Sequence, residues 1–161
     1  MEKFLNHAEA RVRRAYEIAT LAHRGQVDKA GVEYINHPLT VAALVEENIS
    51  AIIVALLHDV AEDTSLTVAD LKEKIPLTDE EAQALELLTH DKKIPYLEYI
   101  AAIKANDLAR IVKAADLKHN SDLSRIKNPS PKDFARVEKY QAALKLVETG
   151  NWELGVVGKL K

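Results

Sequence analysis

No cysteine occurs among the 161 residues. Disulfides, thiolate metal ligands and a cysteine nucleophile are thereby excluded. Long hydrophobic runs are also missing, and the longest falls far short of the ~20 residues that a membrane span requires. The opening stretch, MEKFLNHAEARVRRAYE, alternates charged and apolar side chains. That is not the pattern of a secretion signal, so a cytoplasmic location is expected. Positive charge is not in excess: 22 Lys and Arg stand against 25 Asp and Glu, a formal net charge of −3. Domains that bind nucleic acid usually carry a basic face, so neither a nucleic acid nor a membrane is the expected partner. A local basic pocket for a phosphorylated small molecule remains compatible with this balance. Strand signals are sparse, with no Asn-Gly hairpin and no sustained apolar–polar alternation. No internal repeat, low-complexity tract or linker is visible, and residues 1–161 are expected to form a single domain.

Helical periodicity fills the space these absences leave. Residues 3–24 place Phe4, Ala8, Val12, Tyr16, Ala19 and Ala22 on one face, and Gly25 ends that helix. Residues 26–37 read as a loop. Pro38 is expected at the first position of a second helix that runs to about Glu47. Ser50 is the expected cap of a third helix. Thr67 with Asp70 and Thr78 with Glu81 have capping-box spacing. Residues 96–105 and 107–123 give two more helices, and Ser130, Pro131 and Asp133 open another through about Glu148. The tail WELGVVGKLK fits no pattern. The fold class is therefore all-α, a bundle of about seven to nine helices.

Chemistry-bearing residues gather at three places. The first is LLHDVAEDT, residues 56–64, where an apolar helix ends in His58, Asp59, Glu62 and Asp63. Residues four apart stack on one helix face, which puts His58 under Glu62 and Asp59 under Asp63. Burying unpaired charge is costly, and a divalent cation on an imidazole and a carboxylate would compensate. A helix end that simply reaches water would fit the same residues. His37, in YINHP, is held with an extended backbone by the following proline, as a ligand or as a cap. Asp116, in KAADLKHN, sits among apolar neighbours with Lys113 and Asn120 within a turn, which also suits an intrahelical ion pair. The remaining histidines read more simply. His7 and His90 are expected to be solvated, His23 to pack or cap, and His119 to support Asp116 from a turn away. TDEEAQALE reads as a capped, solvated helix start.

Taken together, His37, His58, Asp59 and Asp116 form an ordered H…HD…D set, which resembles the metal site of the HD phosphohydrolase superfamily. AHRGQ, GVEYINHPLTVA, ALLHDVAEDT, LTHD and VKAADLKHN resemble, in the same order, motifs of the hydrolase domain of the RelA/SpoT alarmone enzymes. The likeness spans roughly residues 8–145. It implies one Mn²⁺ held by His37, His58, Asp59 and Asp116, with Glu62 and Asp63 as the catalytic carboxylates. It further implies substrate contacts from Arg24, Lys29, Lys113, Asn120 and Tyr140. The implied reaction is hydrolysis of the 3′-pyrophosphate of ppGpp or pppGpp, giving GDP or GTP and pyrophosphate, by a stand-alone small alarmone hydrolase.

One position departs from that family. In GQVDKAG, Asp28 stands where the family usually has an arginine that packs on guanine. A guanidinium stacks on aromatic faces, which a carboxylate cannot do. An adenine alarmone such as ppApp, or another nucleotide, is therefore a second candidate substrate. A catalytically silent nucleotide-binding module is the candidate from a different class. Silent versions typically lose a ligand or an acidic residue, whereas this set is complete.

Overall fold

A computed structural model describes residues 1–150. The tail WELGVVGKLK lies outside the described residues. Within them are nine α-helices: α1 (Glu2–Leu5), α2 (Ala10–Ala22), α3 (Asn36–Leu44), α4 (Ile49–Asp63), α5 (Val68–Lys74), α6 (Asp79–Leu88), α7 (Tyr96–Ile103), α8 (Asp107–Asn120) and α9 (Pro131–Thr149), with a 3₁₀ turn at Leu123–Arg125 between the last two. No strand forms among the described residues; the nearest thing is an isolated antiparallel bridge between Val27 and Glu33. The all-α expectation holds.

Helix α4 is the axis of the fold. Every residue from Ala51 to Val60 is buried, and the helix packs against α2, α3, α6 and α8. A helix apolar on all sides belongs inside a protein, and here its neighbours supply one continuous core. Its last turn emerges from that core, bringing Glu62 and Asp63 to the surface of a cleft. No described helix is long and apolar enough to cross a membrane.

Local signals place most boundaries. Capping boxes form at Thr67–Asp70, Thr78–Glu81 and Ser130–Asp133, as their spacing predicts. Five expectations are corrected. The helix expected over 3–24 breaks at 6–9, where Ala8 is exposed: the Arg13 guanidinium takes the carbonyls of His7 and Ala8, and Glu9 caps Arg11. Asn48, not Ser50, caps α4, accepting from the Ala51 N–H at 3.0 Å. Helix α3 stops at Leu44 rather than Glu47. It also starts at Asn36, so Pro38 is its third residue. Proline is tolerated there because the first four helical N–H groups have no intrahelical acceptor. His37 consequently sits inside the first turn, its N–H donating to the Tyr34 carbonyl at 2.9 Å, and is not extended.

Candidate active site

Three helices converge on one cluster. Helix α3 contributes His37, α4 contributes His58 and Asp59, and α8 contributes Asp116; all four are buried. His37 Nε2 lies 3.3 Å from Asp59 Oδ2 and 3.0 Å from Asp116 Oδ1. His58 Nε2 lies 3.2 Å from Asp59 Oδ1 and 3.8 Å from Asp116 Oδ1. The structure thus brings together the four residues that sequence reasoning proposed as ligands.

The imidazoles are oriented from behind. His58 Nδ1 donates to the Ala55 carbonyl at 2.7 Å, leaving Nε2 to face the cluster, buried and without a hydrogen bond. His37 Nδ1 lies 2.6 Å from His119 Nδ1. Partial desolvation, with the charges of His37 and Arg125, pushes His119 down to about 4. With Nδ1 turned to His119, the Nε2 of His37 also faces inward, toward Asp59 and Asp116. Such outward bonds are what fix the tautomer of a metal-ligating histidine.

The cluster's charge balance points the same way. Burial penalises both carboxylates. For Asp59, His58 and His37 overcome that penalty and hold it at about 2. For Asp116, Lys113 does so foremost, holding it well below the usual carboxylate range. Burial opposes charging of His37, yet Asp116 and Asp59 raise it to about 9. Two ionised carboxylates thus draw positive charge to the spot where two imidazole nitrogens converge. The donor set of two nitrogens and two carboxylates suits Zn²⁺, Mn²⁺ or Fe²⁺, and His37, His58 and Asp59 offer ligand atoms within 4.8 Å of one another.

Asp59, Glu62 and Asp63 form a second group of that closeness. The Tyr34 hydroxyl joins it, donating to Asp59 Oδ2 at 2.7 Å and lying 3.3 Å from Asp63 Oδ2. The His90 N–H donates to Glu62 Oε1 at 3.0 Å, and the His90 ring stacks on Tyr99 at 4.3 Å. His90 is therefore half-buried beside the cleft, contrary to the expectation that it is solvated. Tyr34 escaped sequence reasoning, although its place three residues before His37 was the available signal. His23 is buried at the end of α2 and bonds Gln26, the packing role expected of it. Glu81 corrects another expectation: it is 0% exposed.

Partial desolvation and the nearby Asp59 charge raise both Glu62 and Asp63. The sign follows from their charge. A raised carboxylate gains its proton, and loses its capacity as a base, at a higher pH than an ordinary one. In the metal-free protein both side chains are expected to titrate above the usual carboxylate value of about 4. A carboxyl-carbon NMR titration of the chelated protein checks this, and midpoints at or below that value would contradict it.

The cleft has two neighbouring lobes that share Tyr34, Asn120 and Tyr140 as walls. The metal-side lobe, of about 280 Å³, is bordered by Asp59, Glu62, Asp63, His90 and Lys113. The outer lobe, of about 270 Å³, carries Lys29, Arg125 and Arg136. Lys113 Nζ lies 2.7 Å from Asp116 Oδ2, and Asn120 Nδ2 donates to Asp116 Oδ1 at 2.7 Å. Both therefore brace Asp116 as well as lining the cleft. Lys29 and Tyr140 border the outer lobe, whereas Arg24 lines neither lobe. It edges a separate hollow with His23, Gln26 and Glu33.

No family model matches the chain. The human guanosine-3′,5′-bis(diphosphate) 3′-pyrophosphohydrolase MESH1 is 34% identical over 81% of this chain and 79% of its own length. The bifunctional (p)ppGpp synthase/hydrolase SpoT of Escherichia coli K12 is 34% identical over 68% of this chain and 17% of its own. A probable GTP pyrophosphokinase of Mycobacterium leprae is 31% identical over 73% of this chain and 16% of its own. The chain thus spans about a sixth of these last two relatives. The solved structure of a metazoan ortholog of SpoT, described as hydrolysing ppGpp, superposes with a TM-score of 0.73 at 19% identity, covering 96% of this chain and 94% of that one. That likeness makes the architecture an HD-type helical fold. The chain belongs to the family of MESH1- and SpoT-type guanosine-3′,5′-bis(diphosphate) 3′-pyrophosphohydrolases.

Proposed function

We propose that this protein is a cytoplasmic, single-domain, Mn²⁺-dependent hydrolase of ppGpp and pppGpp, releasing pyrophosphate from the 3′ position. The observation that carries this reading is the convergence of His37, His58, Asp59 and Asp116 in one buried cluster beside Glu62 and Asp63. In the proposal those four residues hold the ion, and the two acidic residues handle protons. A divalent cation there supplies Lewis acidity, acidifying water and polarising phosphoryl oxygens.

The protein's own groups do the rest. Glu62 and Asp63 lie one helical turn beyond the ligands, within reach of a water near the cluster. A carboxylate raised by desolvation is a better proton acceptor than an ordinary one. The reaction adds water across the bond between phosphorus and the 3′-oxygen. The oxygen of water ends on pyrophosphate and a proton ends on the 3′-oxygen, which leaves as a hydroxyl. Tyr34 holds Asp59 and Asp63 in fixed register, and Lys113, with Lys29 in the outer lobe, offsets substrate charge.

The test is hydrolysis of ppGpp and ppApp side by side, with Mn²⁺ and with chelator. Release of pyrophosphate that needs metal is expected. If neither nucleotide is cut with metal present, the reading fails, and a panel of nucleoside monophosphates separates another phosphohydrolase from a binding module.

A further inference from the structure

The outer lobe contains an ion pair that links distant parts of the chain. Asp28 lies in the turn after α2, Arg125 in the 3₁₀ turn after α8, and Arg125 Nη1 sits 3.2 Å from Asp28 Oδ2. The other oxygen of Asp28, Oδ1, accepts the N–H groups of Ala30 at 2.8 Å and Val32 at 3.0 Å. Gly31, at φ +79°, makes the tight turn between them, a backbone conformation that favours glycine. The Asp28 carboxylate is thus fixed by its own loop, and Arg125 is fixed by the carboxylate. Asp28 does not leave the lobe without a cation; it fixes one there.

What this cation can hold follows from its surroundings. The pair is neutral as a unit, and a phosphate beside it would meet the Asp28 carboxylate. A guanidinium with its charge matched at one edge still presents a flat, weakly hydrated face, which suits stacking on an aromatic ring. The same lobe is walled by Val27, Ile126, Tyr34 and Tyr140, apolar and aromatic surfaces that suit a planar heterocycle. Lys29 remains for phosphate, whereas Arg136 is itself paired with Asp133 at 2.9 Å. Tyr34 also reaches Asp59 with its hydroxyl, so a single nucleotide could span both lobes.

We propose that Arg125, aligned by Asp28, is the platform on which the substrate's purine base stacks, and so a specificity-determining residue of the cleft. The proposal rests on the nucleotide-hydrolase reading above. Its test measures GDP and inorganic pyrophosphate binding by calorimetry, and KM for ppGpp, in the wild type and in Arg125→Ala, Arg125→Lys and Asp28→Asn. Arg125→Ala should weaken GDP about three- to thirtyfold, the range of a cation–π contact, and leave pyrophosphate unaffected. KM for ppGpp should rise by the same factor. Arg125→Lys keeps the charge but not the plane and should remain weak. Asp28→Asn still accepts the two loop N–H groups and should show a smaller loss, because Arg125 is then no longer aligned. The proposal is overturned if GDP binding is absent in the wild type, unchanged in Arg125→Ala, fully restored by lysine, or weakened equally with pyrophosphate. A wild type that binds GDP through Arg125 yet leaves ppGpp uncut would sink the reaction and keep the platform. A wild type that cuts ppGpp with an unchanged KM in Arg125→Ala would do the reverse.

Discussion

Asp59→Asn should reduce hydrolysis by at least about a thousandfold, the loss of several kcal/mol of transition-state stabilisation. The substitution is nearly isosteric, and each contact it alters is known. Oδ1 faces His58 at 3.2 Å, and Oδ2 faces His37 at 3.3 Å while accepting from Tyr34 at 2.7 Å. An amide keeps the volume but replaces an anionic oxygen with an N–H donor aimed at a nitrogen or a cation. The cluster then has one carboxylate instead of two beside its imidazoles. Activity alone would not separate lost metal from lost chemistry, so the decisive readout is thermal. A ligand at a thousand times its Kd adds about 4 kcal/mol to a folded protein. For a chain of this size that raises Tm by about 8–16 °C. The wild type should gain this on Mn²⁺ addition and lose it to chelator. Asp59→Asn should show little of either, and should melt near the chelated wild type. A variant that keeps the full Mn²⁺-induced rise would remove Asp59 from the ligand set.

Asp59 was legible in the sequence because HD closes an apolar helix that has little else to explain its charges. The long-range contacts around the cleft were not. Tyr34 reaches Asp59 across 25 residues, His90 reaches Glu62 across 28, and Arg125 reaches Asp28 across 97. No local pattern records such contacts, since they exist only once α3, α4 and α8 have packed. The helix boundaries divide in the same way. Thr67, Thr78 and Ser130 cap helices as expected because a capping box is complete within four residues. Ser50 has the right chemistry for a cap, but its hydroxyl goes to Glu81 at 2.7 Å, 31 residues away, and Asn48 takes the cap. Likewise the helix pattern over 3–24 is real at Val12, Tyr16 and Ala19. It fails at Ala8 because the competing acceptors and donors of His7, Glu9 and Arg13 win locally.

Arg11→Ala should be strongly destabilising although it lies outside the cleft, by about 3–5 kcal/mol, or about 6–20 °C in Tm. Glu81 is fully buried in the first turn of α6. Arg11 Nη1 reaches its two oxygens at 3.0 and 2.9 Å, the Ser50 hydroxyl donates at 2.7 Å and the Thr78 N–H at 2.9 Å. Removing the guanidinium leaves a buried carboxylate with two neutral donors, and that unpaired charge is the main cost. Arg11 is itself 28% exposed, so some water will follow the deletion, placing the effect toward the lower end. The pair's own worth is a different quantity. Replacing both partners by apolar groups, Arg11→Met with Glu81→Leu, removes the buried charge and should recover most of the loss. The clasp ties α2 and α6 to Ser50 at the start of α4, the helix whose far end carries His58 and Asp59. If the clasp only stabilises, the double variant should bind Mn²⁺ and turn over substrate like the wild type below its melting range. If it also sets the pitch of α4, the double variant should regain its Tm yet bind Mn²⁺ more weakly. Equal losses in the single and double variants would mean that the ion pair, rather than the avoidance of a stranded charge, holds these helices together.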